Sequence, residues 1–141
     1  MLPIKRRQIK LILFVVYCLF ILWMTVFSRT PTTRQCEWRL MWAYREMLEG
    51  HPAWKEDVWQ NVENILFFMP YGALFPIKHK KGDLKMVLFT ALAFSALIEF
   101  IQYIGALGLC ELDDVICNTL GAVVGYLVCR AIWRRIDQKE E

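Results

Sequence analysis

Charge is missing from three long stretches of this 141-residue chain: residues 11–27, 86–98 and 115–129 contain no Asp, Glu, Lys or Arg. A soluble domain of this size interleaves its charges along helix faces or strands, so the gaps argue for membrane-crossing segments. Paired cysteines of the C-x-x-C kind are also missing. Cys18, Cys36, Cys110, Cys117 and Cys129 are scattered and neither histidine lies beside one, so neither a metal centre nor a cofactor is expected. No A-x-A cleavage pattern follows the first apolar run, Trp23 and Arg29 mark an interface at its end and further apolar runs come later, so a retained signal-anchor is expected. A serine–histidine pair, a phosphate-cradling glycine loop and a basic residue beside the intramembrane acids are absent too, so phosphate chemistry is poorly supported.

What is present is 57% hydrophobic, with the charges gathered in clusters between the apolar runs. The net charge of +3 does not imply nucleic acid, because the basic residues flank apolar segments and the positive-inside bias accounts for them. Lys5, Arg6, Arg7 and Lys10 precede the first run, Lys78, Lys80, Lys81 and Lys85 lie between the second and third, and Arg130, Arg134 and Arg135 follow the last. Keeping all three groups on one side requires four crossings. The expected fold is therefore an all-α integral membrane protein forming one domain over 1–141, with spans at about 11–28, 60–77, 84–104 and 115–133. Both termini are then cytoplasmic and residues 29–59 form an outer loop. The second span is the least regular, since Pro70, Gly72 and Pro76 interrupt it. A kink at Pro70 would free a backbone carbonyl one turn earlier.

In the outer loop Trp38, Met41, Trp42 and Leu48 recur at near-helical spacing until Gly50, His51 and Pro52 stop the run. This suggests a short helix, either lying on the membrane surface or packed over the mouths of the spans. His51, alone beside a stop signal, is not expected to be catalytic. Cys36 and Cys110 fall on the same side of the membrane in this topology, so a disulfide is open to them if that side is oxidising.

Polar side chains inside the spans need a reason. Helical spacing puts Ser95, Glu99 and Gln102 on one face of the third span, and Asp114, Asn118, Gly121 and Gly125 on one face of the fourth. Asn61 and Asn64 enter at the same level from the second. All lie in the outer half of the bundle, which predicts a polar pocket open to the outer surface, lined by Asn61, Asn64, Glu99, Gln102, Asp114 and Asn118. A carboxyl at the depth of Glu99 costs about 3 kcal/mol near the bilayer centre if unpaired, so it must be hydrogen-bonded, protonated or wet. Asn, Gln and Ser on facing spans also serve simply as interhelical glue, with G-x-x-x-G as a packing device. The acids Glu99, Asp113 and Asp114 favour a functional reading, because acids are a costly form of glue.

Three segments, NVENILFFMPYG (61–72), IEFIQ (98–102) and LDDVICNTLGAVVGY (112–126), closely resemble the VanZ-like family of bacterial membrane proteins. The family pattern maps onto Asn61, Asn64, Phe68, Pro70 and Gly72, then Glu99 and Gln102, then Asp113, Asp114, Asn118, Gly121 and Gly125. Where members commonly carry an arginine or an aromatic–acidic pair before the double aspartate, this chain has Leu109, Cys110 and Glu111. The resemblance implies a role like that of the name-giving member, an accessory determinant of resistance to the glycopeptide teicoplanin.

Three readings follow. In the first, the outer pocket binds membrane lipid, a lipid-linked cell-wall precursor or a lipoglycopeptide. In the second, an intramembrane enzyme uses Glu99 as general acid or base, with Asp113 or Asp114 as partner, on a lipid head group. In the third, the chain is a small subunit of a larger membrane complex.

Overall fold

A computed structural model describes residues 2–75 and 83–137. The end expected for the second span, the basic group Lys78, Lys80 and Lys81, and the tail 138–141 lie outside the described residues. The chain is mostly helical. Helix α1 (Leu2–Leu22) runs into a π-helical turn at Trp23–Phe27, which the Ser28 N–H closes on the Trp23 carbonyl at 2.9 Å. Strand β1 (Gln35–Glu37) and helix α2 (Trp42–Glu49) follow, then α3 (Trp54–Leu74), α4 (Asp83–Gly105), strand β2 (Leu109–Glu111) and α5 (Leu112–Asp137).

Among the described residues three helical stretches are long and apolar enough to cross a membrane: Gln8–Phe27, Asp83–Gly105 and Leu112–Ile136. Helix α3 matches them in length, with 21 residues and about 32 Å of rise. Its first half, however, carries Lys55, Glu56, Asp57 and Glu63. It begins six residues before the expected span because Glu56 and Asp57 fall in its first turn, where the helix dipole favours carboxylates. It runs through Pro70 and ends at Phe75, whose extended ψ of 128° is the conformation favoured before a proline. The Tyr17 hydroxyl donates to the Phe67 carbonyl at 2.6 Å, beside the Leu66 carbonyl that Pro70 deprives of its helical donor.

Helices α3 and α5 pack side by side in the same direction, Ile65 against Gly121 and Met69 against Gly125. A Cβ on either glycine would fall inside the contact radius of the facing carbonyl oxygen, so only glycine lets the backbones approach this closely. Helix α4 runs antiparallel to α5, pairing Ser95 with Asn118, and α1 runs antiparallel to α3, placing Phe14 on Tyr71 and Phe75. The buried core gathers Ile21, Phe68, Tyr71, Val87, Ile98 and Tyr126 between these helices.

The all-helical expectation needs one amendment. Strands β1 and β2 pair in parallel, with Cys36 opposite Cys110 and Glu37 opposite Glu111. Both connections cross the same end of the bundle, and pairing satisfies backbone groups that burial would otherwise leave without partners. The expected short helix is present as α2, shorter than the tryptophan spacing suggests: Trp38 and Met41 precede it, and Gly50 in the left-handed conformation (φ 74°) closes it.

Candidate functional site

Four carboxyls meet at the end of the bundle where α5 begins, and each accepts hydrogen bonds from another element. Glu99, only 4% exposed, accepts the Glu111 backbone N–H at 2.9 Å, tying α4 to β2. Glu111 accepts the Trp42 indole N–H at 2.9 Å and the Gln60 amide at 3.2 Å, tying β2 to α2 and α3. Asp113 takes the backbone N–H groups of Met41 and Trp42 at 2.7 and 3.1 Å. Asp114 accepts the Asn64 amide at 2.7 Å.

The Asp113 contacts have a local cause. Met41, at the start of α2, sits in the left-handed conformation (φ 54°) with no side-chain cap of its own. The first N–H groups of a helix need acceptors, and a carboxylate from another element supplies them while also facing the positive end of the dipole. Both Asp113 oxygens are thereby occupied. At the end of α1 the π-turn leaves the Thr25 carbonyl without a helical donor, and Gln102 fills that place at 2.9 Å. Asn118 donates to Ser95 at 2.8 Å.

Charge in the cap is correspondingly perturbed. Burial, followed by the negative charge of Asp114, pushes the Glu111 carboxyl up to about 7, against the hydrogen bonds from Trp42 and Gln60. Half-buried Glu37 behaves oppositely: hydrogen bonds from Arg39, at 2.8–3.0 Å, hold it down to about 2. The positive field of Arg29, just after the π-turn, reaches Glu99 and Asp114.

Beside the acids lies a cavity of about 680 Å³. Arg34, Gln35, Cys36, Glu99, Cys110 and Glu111 form its polar side, and Ala96, Phe100, Tyr103, Leu112 and Val115 with Trp38 its apolar side. A second, more open groove of about 620 Å³ runs between α1 and α3, lined by Arg29, Asn64 and the apolar Phe20, Leu66 and Phe67. Among the described residues no group of three or more His, Cys, Asp or Glu side chains could hold a metal.

The residues singled out from sequence all gather at this end, but not around one space. Glu99 lines the first cavity and Asn64 the second. Gln102, Asp114 and Asn118 are buried in contacts between elements. Asn61 is buried at 2% exposure, and its Nδ2, like the Asn118 Oδ1, has no hydrogen-bond partner among the described residues. Sequence reasoning missed Arg29, Arg34, Trp42, Gln60 and Glu111 as parts of the site. Position at the same ends of the spans was the available signal for Arg29 and Gln60. Nothing local marked Trp42.

A family model described as VanZ/LLP1 matches residues 14–134. Over 80 residues the chain is 32% identical to a protein of Enterococcus faecium described as Protein VanZ, the match covering 56% of this chain and 49% of that one. The chain thus spans about half the length of that relative. No solved structure matches.

Proposed function

The chain belongs to the VanZ/LLP1 family, and from that premise we propose that it is a multi-pass protein of the bacterial cell membrane whose acid-bearing end faces outward and binds an amphiphile. An envelope lipid, a lipid-linked cell-wall precursor and a lipophilic glycopeptide such as teicoplanin all have the required character, an apolar tail under a polar head. In this reading the protein contributes to glycopeptide tolerance by occupying or altering that ligand.

The cavity beside Glu99 carries the proposal. Its volume lies within the usual range for small-ligand sites, about 300–1,000 Å³. It joins a buried carboxyl and the Arg34 guanidinium to a wall of Ala96, Phe100, Tyr103 and Val115, so head and tail each have matching chemistry. Phe100, Tyr103 and Ile104 are also exposed on the outside of α4, on the route by which a lipid tail would enter from the bilayer.

The helix directions support four crossings with α3 as the second span. Helices α3 and α5 run the same way and α1 and α4 the other, as alternating spans must. Lys10 lies over the Trp133 ring at 5.3 Å, bringing the basic start of α1 to the basic end of α5. Of the 17 Lys and Arg, five fall in residues 29–59 and none in 105–114, which supports the positive-inside orientation. In that orientation α2 lies at the outer surface, with Trp38 and Leu48 exposed toward the interface.

The test is teicoplanin and vancomycin susceptibility in a sensitive Gram-positive host expressing wild type, Glu99→Gln or Phe100→Ala at matched membrane levels. Teicoplanin-selective protection by wild type, lowered at least fourfold by both variants, is expected. An absence of protection by wild type would detach this chain from the resistance role. Protection unaffected by both substitutions would move the site elsewhere.

A further inference from the structure

We propose that Cys36 and Cys110 form a disulfide that staples β1 to β2 at the wall of the cavity. The two residues are direct partners in the parallel pairing. Neighbouring strands lie about 4.8 Å apart, inside the roughly 4.4–6.8 Å Cα separation that a disulfide spans. Register partners project to the same face of a sheet, and here both side chains line one cavity. The other three cysteines, Cys18, Cys117 and Cys129, sit within α1 and α5, so the strand pairing singles out one combination.

Access orders the chemistry. Cys36 is partly exposed and Cys110 is buried. A disulfide-bearing oxidant of the thiol–disulfide exchange class reaches Cys36 first: the Cys36 thiol loses its proton, attacks one oxidant sulfur and releases the other as a thiolate. Cys110 then loses its proton and attacks the Cys36 sulfur of this mixed disulfide, forming the Cys36–Cys110 bond and releasing the second oxidant thiolate. Two protein thiols give up two electrons and two protons, and one oxidant disulfide becomes two thiols. Burial pushes the Cys110 thiol up to about 12, so it acts after Cys36, once the mixed disulfide stands beside it. The closed bond fixes β2, whose Glu111 N–H holds Glu99, and so sets the width of the cavity's polar side.

The oxidising side rests on the outward orientation proposed above, and the experiment separates the two. Membranes from aerobically grown cells are dissolved in SDS with N-ethylmaleimide and no reductant, and the intact full-length chain is weighed. Three adducts on the five cysteines, rising to five after reduction, with a linked Cys36–Cys110 peptide in the digest, are expected. Five adducts without reduction, or three with a different linked pair, overturn the disulfide. In parallel, intact cells are reduced and treated with a membrane-impermeant maleimide. Labelling of Cys36 together with five adducts would sink the disulfide while leaving the orientation standing. Five adducts without external labelling would sink both.

Discussion

Where α5 begins, Glu99, Glu111, Asp113 and Asp114 accept hydrogen bonds from β2, α2 and α3, whereas further along the same bundle contact is made by rings and glycines. Phe14 meets Tyr71 at 4.9 Å between ring centroids, and Tyr71 stacks on Phe94 at 5.7 Å. Gly121 and Gly125 seat the carbonyls of Ile65 and Met69. The membrane placement proposed above would account for the division. Hydrocarbon gives apolar helices little reason to prefer one another over lipid, so the aromatic half must rely on shape and close approach. The acidic end joins segments far apart in sequence, and directional hydrogen bonds select partners where apolar contact would not. The aromatic half is thus a fitted seam and the acidic end a set of specific ties, which predicts that they will break differently.

The largest effect is expected at the seam. Gly125→Leu has no room against Met69, should cost about 3 kcal/mol or more, and should show as loss of the monodisperse folded protein in detergent. A variant with wild-type thermal stability would mean that α3 and α5 are not packed backbone to backbone. At the other end Asp113→Ala removes the acceptor for two N–H groups at the start of α2, at a cost of about 1–2 kcal/mol. Hydrogen exchange should accelerate in α2 by roughly tenfold for each 1.4 kcal/mol lost, with α3 and α5 unchanged around Gly121. Equal acceleration in both regions would erase the contrast.

A smaller effect concerns pH. Glu111 titrates near 7 in the fold and near its ordinary 4.5 when unfolded, so between these values the folded chain holds a proton that the unfolded chain has released. Its contribution is therefore full below about pH 4.5 and is lost as pH rises through about 7. Thermal melts from pH 4.5 to 8 should fall more steeply for wild type than for Glu111→Gln. Parallel curves would show that Glu111 is not the titrating group.

Much of the arrangement could be read along the chain. The spacing of Ser95, Glu99 and Gln102, and of Asp114, Asn118, Gly121 and Gly125, defines two faces that touch through the Asn118–Ser95 hydrogen bond, whereas Asp114, Gly121 and Gly125 meet α3 instead. The pocket was less legible. Glu99 reaches the cavity with Glu111 and Arg34, while Gln102 is spent on the Thr25 carbonyl. Periodicity tells which face a residue occupies but not which partner waits there. The capping of α2 by Asp113 joins residues 71 and 72 positions apart, and no local signal encodes that pairing.

By itself the sequence determined that this is a mostly helical chain with long apolar segments fit to cross a membrane and its charges gathered between them, because hydropathy and charge are properties of each segment alone. Only the tertiary structure decided that the two loops at the acidic end join as a parallel pair of strands, that Asp113 caps a helix and that Glu99 faces a cavity. Those outcomes depend on hydrogen-bond donors and acceptors left over after each helix has satisfied its own backbone. Which leftovers meet is set by the packing of the whole bundle.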